Sequence, residues 1–342
     1  MMPNETQAIG LDIGGANIKA ATCDGVSISQ GIEIWNHCDG LREVLNQMLD
    51  KLPKTKLLAV TMTAELADCF KTKSEGVHSI VNSVEQIAAD RDVFIWQTGA
   101  EFVRPEIARD IPLMVAAANW HGLATFAGRL MSPGAGLLID IGTTTTDIIP
   151  LLDGVPIPQG FTDVERLQSG ELVYSGSRRT PLCAVAHSVP FRDGYCPLAA
   201  ELFATMLDVY LILDRIDEDE SCLETANGRP ATQLEARHRL ARAICGDVNE
   251  ISDDDLQTIV RFLADVQAKR IAGPLQSVVS RLPQQCESVI ISGSGTFLAE
   301  QLITDNAKTK AAAQIRLLDC LTPEISEAAC AFAIAKLAVE RL

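Results

Sequence analysis

The chain has 342 residues, a length that favours two domains, and 47% of them are hydrophobic, which is enough to bury two cores. Its formal net charge of −16 argues against nucleic acid as a partner, because binding a phosphate backbone needs a basic face. No apolar run approaches the roughly 18 residues of a membrane span, no basic region precedes an N-terminal apolar block, and the ten cysteines form no CxxC pairs, so we expect a cytoplasmic protein with reduced thiols and no membrane contact.

The first half of the chain has the pattern of three meandering strands followed by strand–helix crossover units. Apolar residues at helical spacing predict the helices, and short apolar or β-branched runs predict the strands. Parallel strands joined by helices imply right-handed connections. The predicted elements are strands at 7–13, 17–23 and 26–35, a helix over 41–52, a strand at 56–63, a helix over 77–89, a strand at 93–97 and a long helix over 112–131.

The second half repeats this order with insertions. Residues 160–197 are rich in loops, and Gly273 with Pro274 is expected to break or kink its helix. We therefore expect an α/β protein with two similar domains, 5–134 and 135–322, and a C-terminal helix that caps the first domain. The predicted elements are strands at 137–141, 145–152 and 155–158, helices over 198–214, 231–245 and 253–282, a strand at 288–292, a helix over 295–302, a strand at 314–318 and a helix over 323–341.

Each half begins with the same pattern of strand, Asp-x-Gly turn, strand and Asp-Gly turn. The first copy runs from an apolar strand into Asp12 and Gly14, and the second runs from an apolar strand into Asp140 and Gly142. The closing Asp-Gly dipeptides favour hairpin turns. A repeat of this length indicates two similar domains rather than a solenoid.

The chemistry of the two turns suits a polyphosphate. Backbone N–H groups and threonine hydroxyls would converge on one point, and glycine lets the backbone approach a phosphate. An aspartate at a strand end can hold Mg²⁺ directly or through water, so Asp12 and Asp140 are the expected ligands, and Asp12 is also a catalytic candidate. The alternatives are a simple tight turn with a solvated edge lysine in the first copy and a threonine-rich hairpin with no ligand in the second. The residues expected to bind phosphate here are Gly14, Gly15, Lys19, Gly142, Thr143, Thr144 and Thr145.

Two further carboxylates are candidates for proton transfer. Glu65 follows the end of a central strand, where active groups collect in α/β sheets, and is the leading general-base candidate. The alternative for Glu65 is a carboxylate favoured by the start of a helix. Asp147 occupies in the second copy the place of Lys19 in the first, so it is a second candidate base or a supporting residue. Asn119 could contact substrate, whereas packing is expected for Trp120.

Two polar groups in the loop-rich stretch also draw attention. Arg178 and Arg179 form a doubled arginine in an acidic protein, which favours recognition of a diphosphate or carboxylate, with an ordinary salt-bridged loop as the alternative. Cys183, His187 and Cys196 include the donor types of a soft-metal site, although only three ligands at irregular spacing are present.

The two hairpins and a late strand–turn–helix stretch at 290–296 resemble the actin, Hsp70 and sugar-kinase superfamily. The resemblance implies two RNase H-like domains that close around a phosphate chain and Mg²⁺ in an interdomain cleft. It identifies the hairpins as the two phosphate elements and the late stretch as the adenosine-type turn. The residues of that turn are Ser292, Gly293 and Gly295.

A closer resemblance is to the hydantoinase and oxoprolinase-like branch, and within it to proteins linked to the tetrahydromethanopterin one-carbon pathway. Archaeal members resemble a methanofuran-biosynthesis enzyme that joins an aminomethylfuran carbinol diphosphate to the phenol of a γ-glutamyl-tyramine and releases pyrophosphate. A tyrosine-based phenol would serve bacterial members. The resemblance therefore implies a transferase with small-molecule diphosphate and phenolic substrates, and it leaves a homodimer open. The stretches that carry it are 61–66, 118–120, 140–147, 170–174 and 178–181.

Two other classes of function stay open on the same residues. An ATP-dependent small-molecule kinase, or an ATP-using enzyme of the hydantoinase type, would use the same hairpins and would form ADP. A non-catalytic nucleotide switch, as in actin and Hsp70, would bind nucleotide without an acceptor. Binding of pyrophosphate without affinity for ATP would favour the transferase.

Overall fold

The structure, a computed structural model, describes residues 7–36 and 38–342, so residues 5 and 6 of the predicted first domain lie outside the described residues. Its strands form two six-stranded sheets and one two-stranded ribbon. No helix in the described part of the chain is both long and apolar enough to cross a membrane.

The first sheet is built from the N-terminal third of the chain. Its strands are β1 (Ala8–Ile13), β2 (Asn17–Thr22), β3 (Ser27–Gly31), β4 (Leu57–Met62), β5 (Asp92–Gln97) and β6 (Glu101–Val103). Their order in the sheet is β3-β2-β1-β4-β5-β6, and β1 pairs antiparallel with β2 and parallel with β4. Nearly every side chain of β1 and β4 is buried, as expected of central strands covered on both faces.

The second sheet repeats this arrangement. Its strands are β7 (Ala135–Ile141), β8 (Thr146–Leu152), β9 (Val155–Pro156), β10 (Leu172–Val173), β13 (Cys286–Ser292) and β14 (Ala313–Arg316), and the separate ribbon consists of β11 (Ser188–Phe191) and β12 (Gly194–Pro197). The order is β10-β8-β7-β13-β14, with β9 paired to β8. Because β7 pairs antiparallel with β8 and parallel with β13, these three strands correspond to β1, β2 and β4.

The helices cover both sheets and connect their parallel strands. Short 3₁₀ turns lie at Cys38–Gly40 and Gly128–Leu130. The α-helices are α1 (Leu41–Leu49), α2 (Lys73–Ile87), α3 (Pro105–Asp110), α4 (Pro112–Val115), α5 (Asn119–Ala127), α6 (Asp163–Ser169), α7 (Leu182–Val185), α8 (Met206–Ile212), α9 (Gln233–Ala243), α10 (Asp253–Ser280), α11 (Thr296–Asp305), α12 (Leu317–Cys320), α13 (Pro323–Glu327) and α14 (Ala329–Arg341).

The last helix, α14, packs on the first sheet although it follows the last strand of the second. It lies against β1, β4 and α5. The approach is so close that a Cβ at Gly10 of β1 would lie 1.9 Å from the Ala331 carbonyl oxygen, so this contact requires glycine. The α14 contact favours the predicted assignment of 323–342 to the first domain, and the exact domain limits stay a prediction.

The predicted long helix over 112–131 is wrong. The structure divides it into α4, α5 and a 3₁₀ turn, with Ala116 extended and Ala117 left-handed at a φ of 47°. Two contacts explain the break: Ala116 forms a parallel bridge with Met62 at the end of β4, and the Ala117 backbone hydrogen-bonds to Glu65. Bonding to the sheet and its following loop therefore replaces one helical turn.

Of the expected break or kink at Gly273 and Pro274, the break is wrong, because α10 runs through both residues without ending. Ile271 and Leu275, on either side, are fully buried in the core of the second sheet, so packing keeps the helix together despite the missing proline N–H. The predicted final helix is instead divided at Ala328 into α13 and α14.

Candidate active site between the two hairpins

The first hairpin places Asp12 beside a cation and a hydroxyl group. Asp12 pairs with Lys19 on β2 and with Thr61 on β4, and register partners project from the same face of a sheet. Burial raises the pKa of Asp12 to about 6, against the opposing effects of Lys19 and of a hydrogen bond with Asn119. The Lys19 ammonium donates to the Glu327 carbonyl at 2.7 Å, which fixes the lysine at the end of α13.

The second hairpin places Asp140 beside another carboxylate. Asp140 pairs with Asp147 on β8 and with Ser292 on β13. Burial and the Asp147 charge raise the pKa of Asp140 to about 7, although Lys19 and a hydrogen bond with Ser292 oppose this rise. Asp147 forms an ion pair with the buried Arg166, and burial still raises the pKa of Asp147 above its ordinary value.

The two hairpins face one shared site. Lys19 and Asp12 of the first hairpin both act on the pKa of Asp140 in the second, so these side chains lie within electrostatic reach of one another. The Cys330 thiol, near the start of α14, belongs to the same cluster: burial raises its pKa most, followed by the charges of Asp12 and Asp140. The repeated pattern in the sequence therefore corresponds to one convergent group of side chains.

The donor set fits a hydrated divalent cation. Asp12 Oδ1 is buried and has no hydrogen-bond partner in the described structure, a costly state that a ligand would relieve. Across residues 7–36 and 38–342, no three His, Cys, Asp or Glu side chains are grouped as a ready metal cage. Mg²⁺ is usually held by one or two carboxylates together with water and substrate phosphates, so Asp12 and Asp140 stay the proposed ligands.

The glycines of the hairpin turns leave room for a ligand. A Cβ at Gly14 would lie 2.6 Å from the Asn17 carbonyl oxygen, so the turn itself requires this glycine. A Cβ at Gly15 would meet nothing within 4 Å, and one at Gly142 would meet only the Thr145 carbonyl oxygen at an ordinary 3.6 Å. Gly15 and Gly142 therefore border open space, as a phosphate cradle needs.

A neighbouring loop holds the threonine turn of the second hairpin. The Ser177 N–H donates to the Gly142 carbonyl at 2.9 Å, and the N–H groups of Arg178 and Arg179 donate to the Thr143 carbonyl at 3.1 and 2.8 Å. These bonds use the carbonyl groups of the turn and consume none of its N–H or hydroxyl donors. The Gly142 N–H closes the turn by donating to the Thr145 carbonyl at 2.9 Å, so the N–H groups of Thr143, Thr144 and Thr145 are the backbone donors that the turn can direct at an anion.

A buried polar network fixes that loop in turn. The Gln267 amide of α10 donates to the Ser175 hydroxyl at 2.9 Å and to the Gly176 carbonyl at 2.8 Å. The Tyr210 hydroxyl donates to Gln267 Oε1 at 2.5 Å. Gly176 lies so close to the turn that a Cβ would be 2.5 Å from the Thr144 nitrogen. The long helix α10 therefore supports the turn through Gln267.

The late glycine-rich turn packs against the second hairpin. Gly293 has a φ of 87°, and a Cβ there would lie 2.4 Å from Asp140 Oδ1. A Cβ at Gly295 would lie 2.5 Å from the Ile141 side chain, and the Gly295 N–H donates to the Ile141 carbonyl at 2.8 Å. The predicted adenosine-type turn, which begins at Ser292, is therefore joined directly to the carboxylate site.

Glu65 lies in the loop that follows β4, and the charge of Asp163 acts on the pKa of both Glu65 and Asp147. Its side chain is 1% exposed, and Oε2 has no hydrogen-bond partner in the described structure. Burial raises the pKa of Glu65 to about 7, opposed by backbone hydrogen bonds of Glu65 and Ala117 and by Lys73. Lys73 also forms a 3.1 Å ion pair with Asp163 of α6, which joins the two halves of the chain here. A buried carboxyl with a pKa near neutrality suits a general base.

Two of the predicted groups come from the loop-rich stretch. The Arg179 guanidinium forms a surface ion pair with Glu224 at 3.0 Å. The contacts of Arg178 and Arg179 with the threonine turn are made by their backbone N–H groups. The soft-metal site considered for Cys183, His187 and Cys196 is wrong for the described residues, where no three potential ligands come together. The two cysteines lie on separate elements, α7 and β12.

Sequence reasoning missed two residues of the site and undervalued a third. Arg166 comes from the loop-rich insertion, where nothing in the local pattern marks it, and Cys330 lies in an apolar helical run that is typical of a core. For Asn119, the sequence suggested only that it could contact substrate. Spatial proximity to Asp147 and Asp12 reveals all three, and the only available sequence signal is the presence of Asn119 in a stretch that carries the family resemblance.

Comparison with known proteins identifies the family. Residues 56–340 match the family model described as hydantoinase/oxoprolinase. The chain belongs to the hydantoinase/oxoprolinase family. Within this family, it is 32% identical over 337 residues, 98% of each chain, to a protein of Methanocaldococcus jannaschii named (4-{4-[2-(gamma-L-glutamylamino)ethyl]phenoxymethyl}furan-2-yl)methanamine synthase. A Methanococcus vannielii protein of the same name is 32% identical over 173 residues, 51% of this chain and 77% of the relative.

A solved structure shares the fold of this hydantoinase/oxoprolinase family member. A nucleotide-free structure of acetone carboxylase, at 10% identity, matches with a TM-score of 0.50 over 95% of this chain and 70% of that chain. An archaeal actin homologue in complex with ADP, at 13% identity, has a TM-score of 0.46 over 98% and 99% of the two chains. Together with the repeated sheet topology, the family membership places this chain in the actin-type α/β fold with two RNase H-like units.

Proposed function

We propose that this protein is a transferase of methanofuran-type cofactor biosynthesis that forms an aryl ether. It would move an aminomethylfuran-methyl group from its diphosphate to a phenol, either γ-glutamyl-tyramine or a tyrosine analogue. The furfuryl C–O bond to diphosphate breaks, a C–O bond to the phenol oxygen forms, and the products are the ether, pyrophosphate and the phenolic proton.

The convergence of Asp12, Lys19 and Asp140 from two hairpins is the observation that carries this proposal. Such a site suits one polyphosphate group with a cation, and the relative that shares 98% of its length is named for a product containing the same phenoxymethyl-furan ether. Mg²⁺, held by Asp12 and Asp140, would supply electrostatic stabilisation of the departing diphosphate.

The chain's own donors complete the binding of the leaving group. The N–H and hydroxyl groups of Thr143, Thr144 and Thr145 would bind the diphosphate oxygens, and Lys19 would add a positive charge from the opposite hairpin. These donors are held in place before substrate binds, so they stabilise charge where it grows as the C–O bond breaks. The furan oxygen delocalises the positive charge on the departing carbon.

Proton removal from the phenol falls to Glu65. A phenol in water has a pKa of about 10, and burial raises the pKa of the Glu65 carboxyl to about 7. The free Oε2 can accept one proton as the phenol oxygen attacks. No ATP is consumed in this scheme, so the ancestral nucleotide cradle would hold the substrate diphosphate instead.

The test is pyrophosphate release from the furfuryl diphosphate in the presence of γ-glutamyl-tyramine or a tyrosine analogue, with Mg²⁺ and without ATP. The expected result is stoichiometric pyrophosphate and ether product by mass spectrometry. A matched acceptor that lacks only the phenolic hydroxyl should give no ether. A requirement for ATP, or ADP formation with a small-molecule acceptor, would instead identify the ATP-dependent kinase or ATP-using alternative.

A further inference from the structure

We propose that Asn119 and Trp120, the first two residues of α5, are positioning residues that set the carboxylates of both hairpins for the diphosphate. The inference rests on the proposed function for its ligand. In this proposal, Asn119 positions Asp12 on the first hairpin. Trp120 positions Asp147 on the second hairpin through Arg166.

The break before α5 brings this pair of residues to the site. Ala116 bonds to the end of β4, and the left-handed Ala117 hydrogen-bonds to Glu65. A continuous helix would carry Asn119 onto a different face. The interruption that sequence patterns failed to predict therefore starts α5 next to the ends of β1 and β4.

The Asn119 amide has one orientation open to it. Its Oδ1 accepts the Trp120 backbone N–H at 2.8 Å, and an N–H can bond only to the oxygen of the amide. The amide NH₂ is therefore the group directed to Asp12, and it lowers the pKa of that carboxyl. Asp12 Oδ1 has no hydrogen-bond partner in the described structure, so this oxygen is available to a ligand.

Trp120 acts on the other hairpin. Its side chain is 3% exposed, and the Arg166 guanidinium stacks over its ring with 4.0 Å to the centroid. Arg166 forms the ion pair with Asp147 and also donates to the Glu171 carbonyl at 3.2 Å. The planar indole thus fixes the plane of the guanidinium, and the guanidinium fixes the Asp147 carboxylate.

Two adjacent residues consequently hold one carboxylate in each hairpin. Asp140, between them in the cluster, has no cation of its own hairpin as a register partner. A diphosphate with its cation would therefore meet Asp140 and the free oxygen of Asp12, while Asn119 and Arg166 keep the flanking carboxylates from turning away. Neither Asn119 nor Trp120 needs to touch the reacting atoms.

The experiment compares Asn119→Leu and Trp120→Leu with Trp120→Phe, which keeps an aromatic face, and with Asn46→Leu on the exposed side of α1 as the control. Isothermal titration with pyrophosphate and Mg²⁺ should show affinity about tenfold lower or worse for both leucine variants, because each removes a contact with a charged group. Trp120→Phe should recover most of the loss, and Asn46→Leu should match the wild type. In turnover, KM for the diphosphate should rise while KM for the phenol stays unchanged.

Wild-type affinity and KM in both leucine variants would overturn the proposal, as would an equal rise in both KM values. A double-mutant cycle in urea between Asn119→Leu and Asp12→Asn tests the pairing without any ligand. Non-additive shifts of the unfolding midpoint are expected, and additive shifts would overturn the assignment. Should the wild type bind no pyrophosphate, the proposed function fails, and the cycle alone decides whether Asn119 positions Asp12.

Discussion

Lys19 occupies in the first hairpin the register position that Asp147 occupies in the second. Each is the antiparallel partner of a strand-end aspartate, Asp12 or Asp140. The two halves of the repeat are therefore chemically unequal: one brings a cation to the shared site and the other a second carboxylate. Because Asp147 is already paired with Arg166, Asp12 and Asp140 share the single lysine, and a bound cation would offset their charge when a diphosphate binds.

Lys19→Met should weaken binding of pyrophosphate with Mg²⁺ by about tenfold, which corresponds to about 1.4 kcal/mol. The substitution removes the positive charge that opposes the rise in pKa of Asp12 and Asp140. Calorimetric titration measures the effect, and Lys51→Met, at an exposed position after α1, is the matched control. If the Lys19 variant and the control bind pyrophosphate with equal affinity, Lys19 does not contribute to the site.

Without bound metal, the contribution of Asp140 to the free energy of unfolding should fall as pH rises from about 4 to 7. Its folded pKa, about 7, lies above its unfolded value of 3.8, so in this interval the folded chain binds more protons than the unfolded chain. The contribution is present below the unfolded pKa and lost by about pH 7. Thermal unfolding in a chelator should show a weaker pH dependence for Asp140→Asn than for the wild type; identical slopes would mean that Asp140 ionises normally.

Glu65→Gln should lower kcat by about 10²–10⁴-fold, the usual contribution of a general base, with little change in KM for the diphosphate. Because the base acts as a carboxylate, the wild-type rate should rise with pH through about 7, and the variant should lose this limb of the profile. Steady-state kinetics of pyrophosphate release provides the measurement. Glu106→Gln, at an exposed position of α3, is the control. Normal turnover by the Glu65 variant would assign proton removal to another group.

Gln267→Leu should destabilise the fold by about 1–3 kcal/mol, because the Ser175 hydroxyl and the Gly176 carbonyl would lose a buried partner. It should also weaken pyrophosphate binding, since the loop they belong to holds the threonine turn. Urea unfolding and calorimetry measure the two effects. Gln276→Leu on the exposed side of the same helix should leave pyrophosphate affinity unchanged. A stable variant that binds normally would exclude support of the turn by α10.

The repeated hairpins could be predicted because they follow from local signals, whereas their convergence on one cleft was implied by the resemblance to the actin, Hsp70 and sugar-kinase superfamily. An apolar strand, an Asp-x-Gly turn and an Asp-Gly turn are each encoded within a few residues, and repetition in order implies two similar units. Short apolar runs likewise predicted parallel strands such as β4 and β13. The structure bears out these elements, with limits shifted by a few residues.

What could not be predicted depends on contacts between distant parts of the chain. The break before Asn119 arises from bonds between Ala116 and Met62 and between Ala117 and Glu65. The helical spacing of apolar residues contains no information about such bonds. Continuity of α10 through Pro274 likewise depends on burial on both sides of the proline. Arg166 reaches Asp147 from an insertion whose placement no local pattern reveals.

The most direct measurement is a calorimetric titration of pyrophosphate with Mg²⁺ on the wild type, Asp12→Asn and Asp140→Asn. Because the two aspartates come from different hairpins but face a single cluster, the wild type should bind one pyrophosphate per chain, and either substitution alone should abolish or severely weaken that binding. Two independent sites, or a site that is lost with one aspartate and unaffected by the other, would contradict a shared polyphosphate site between the hairpins.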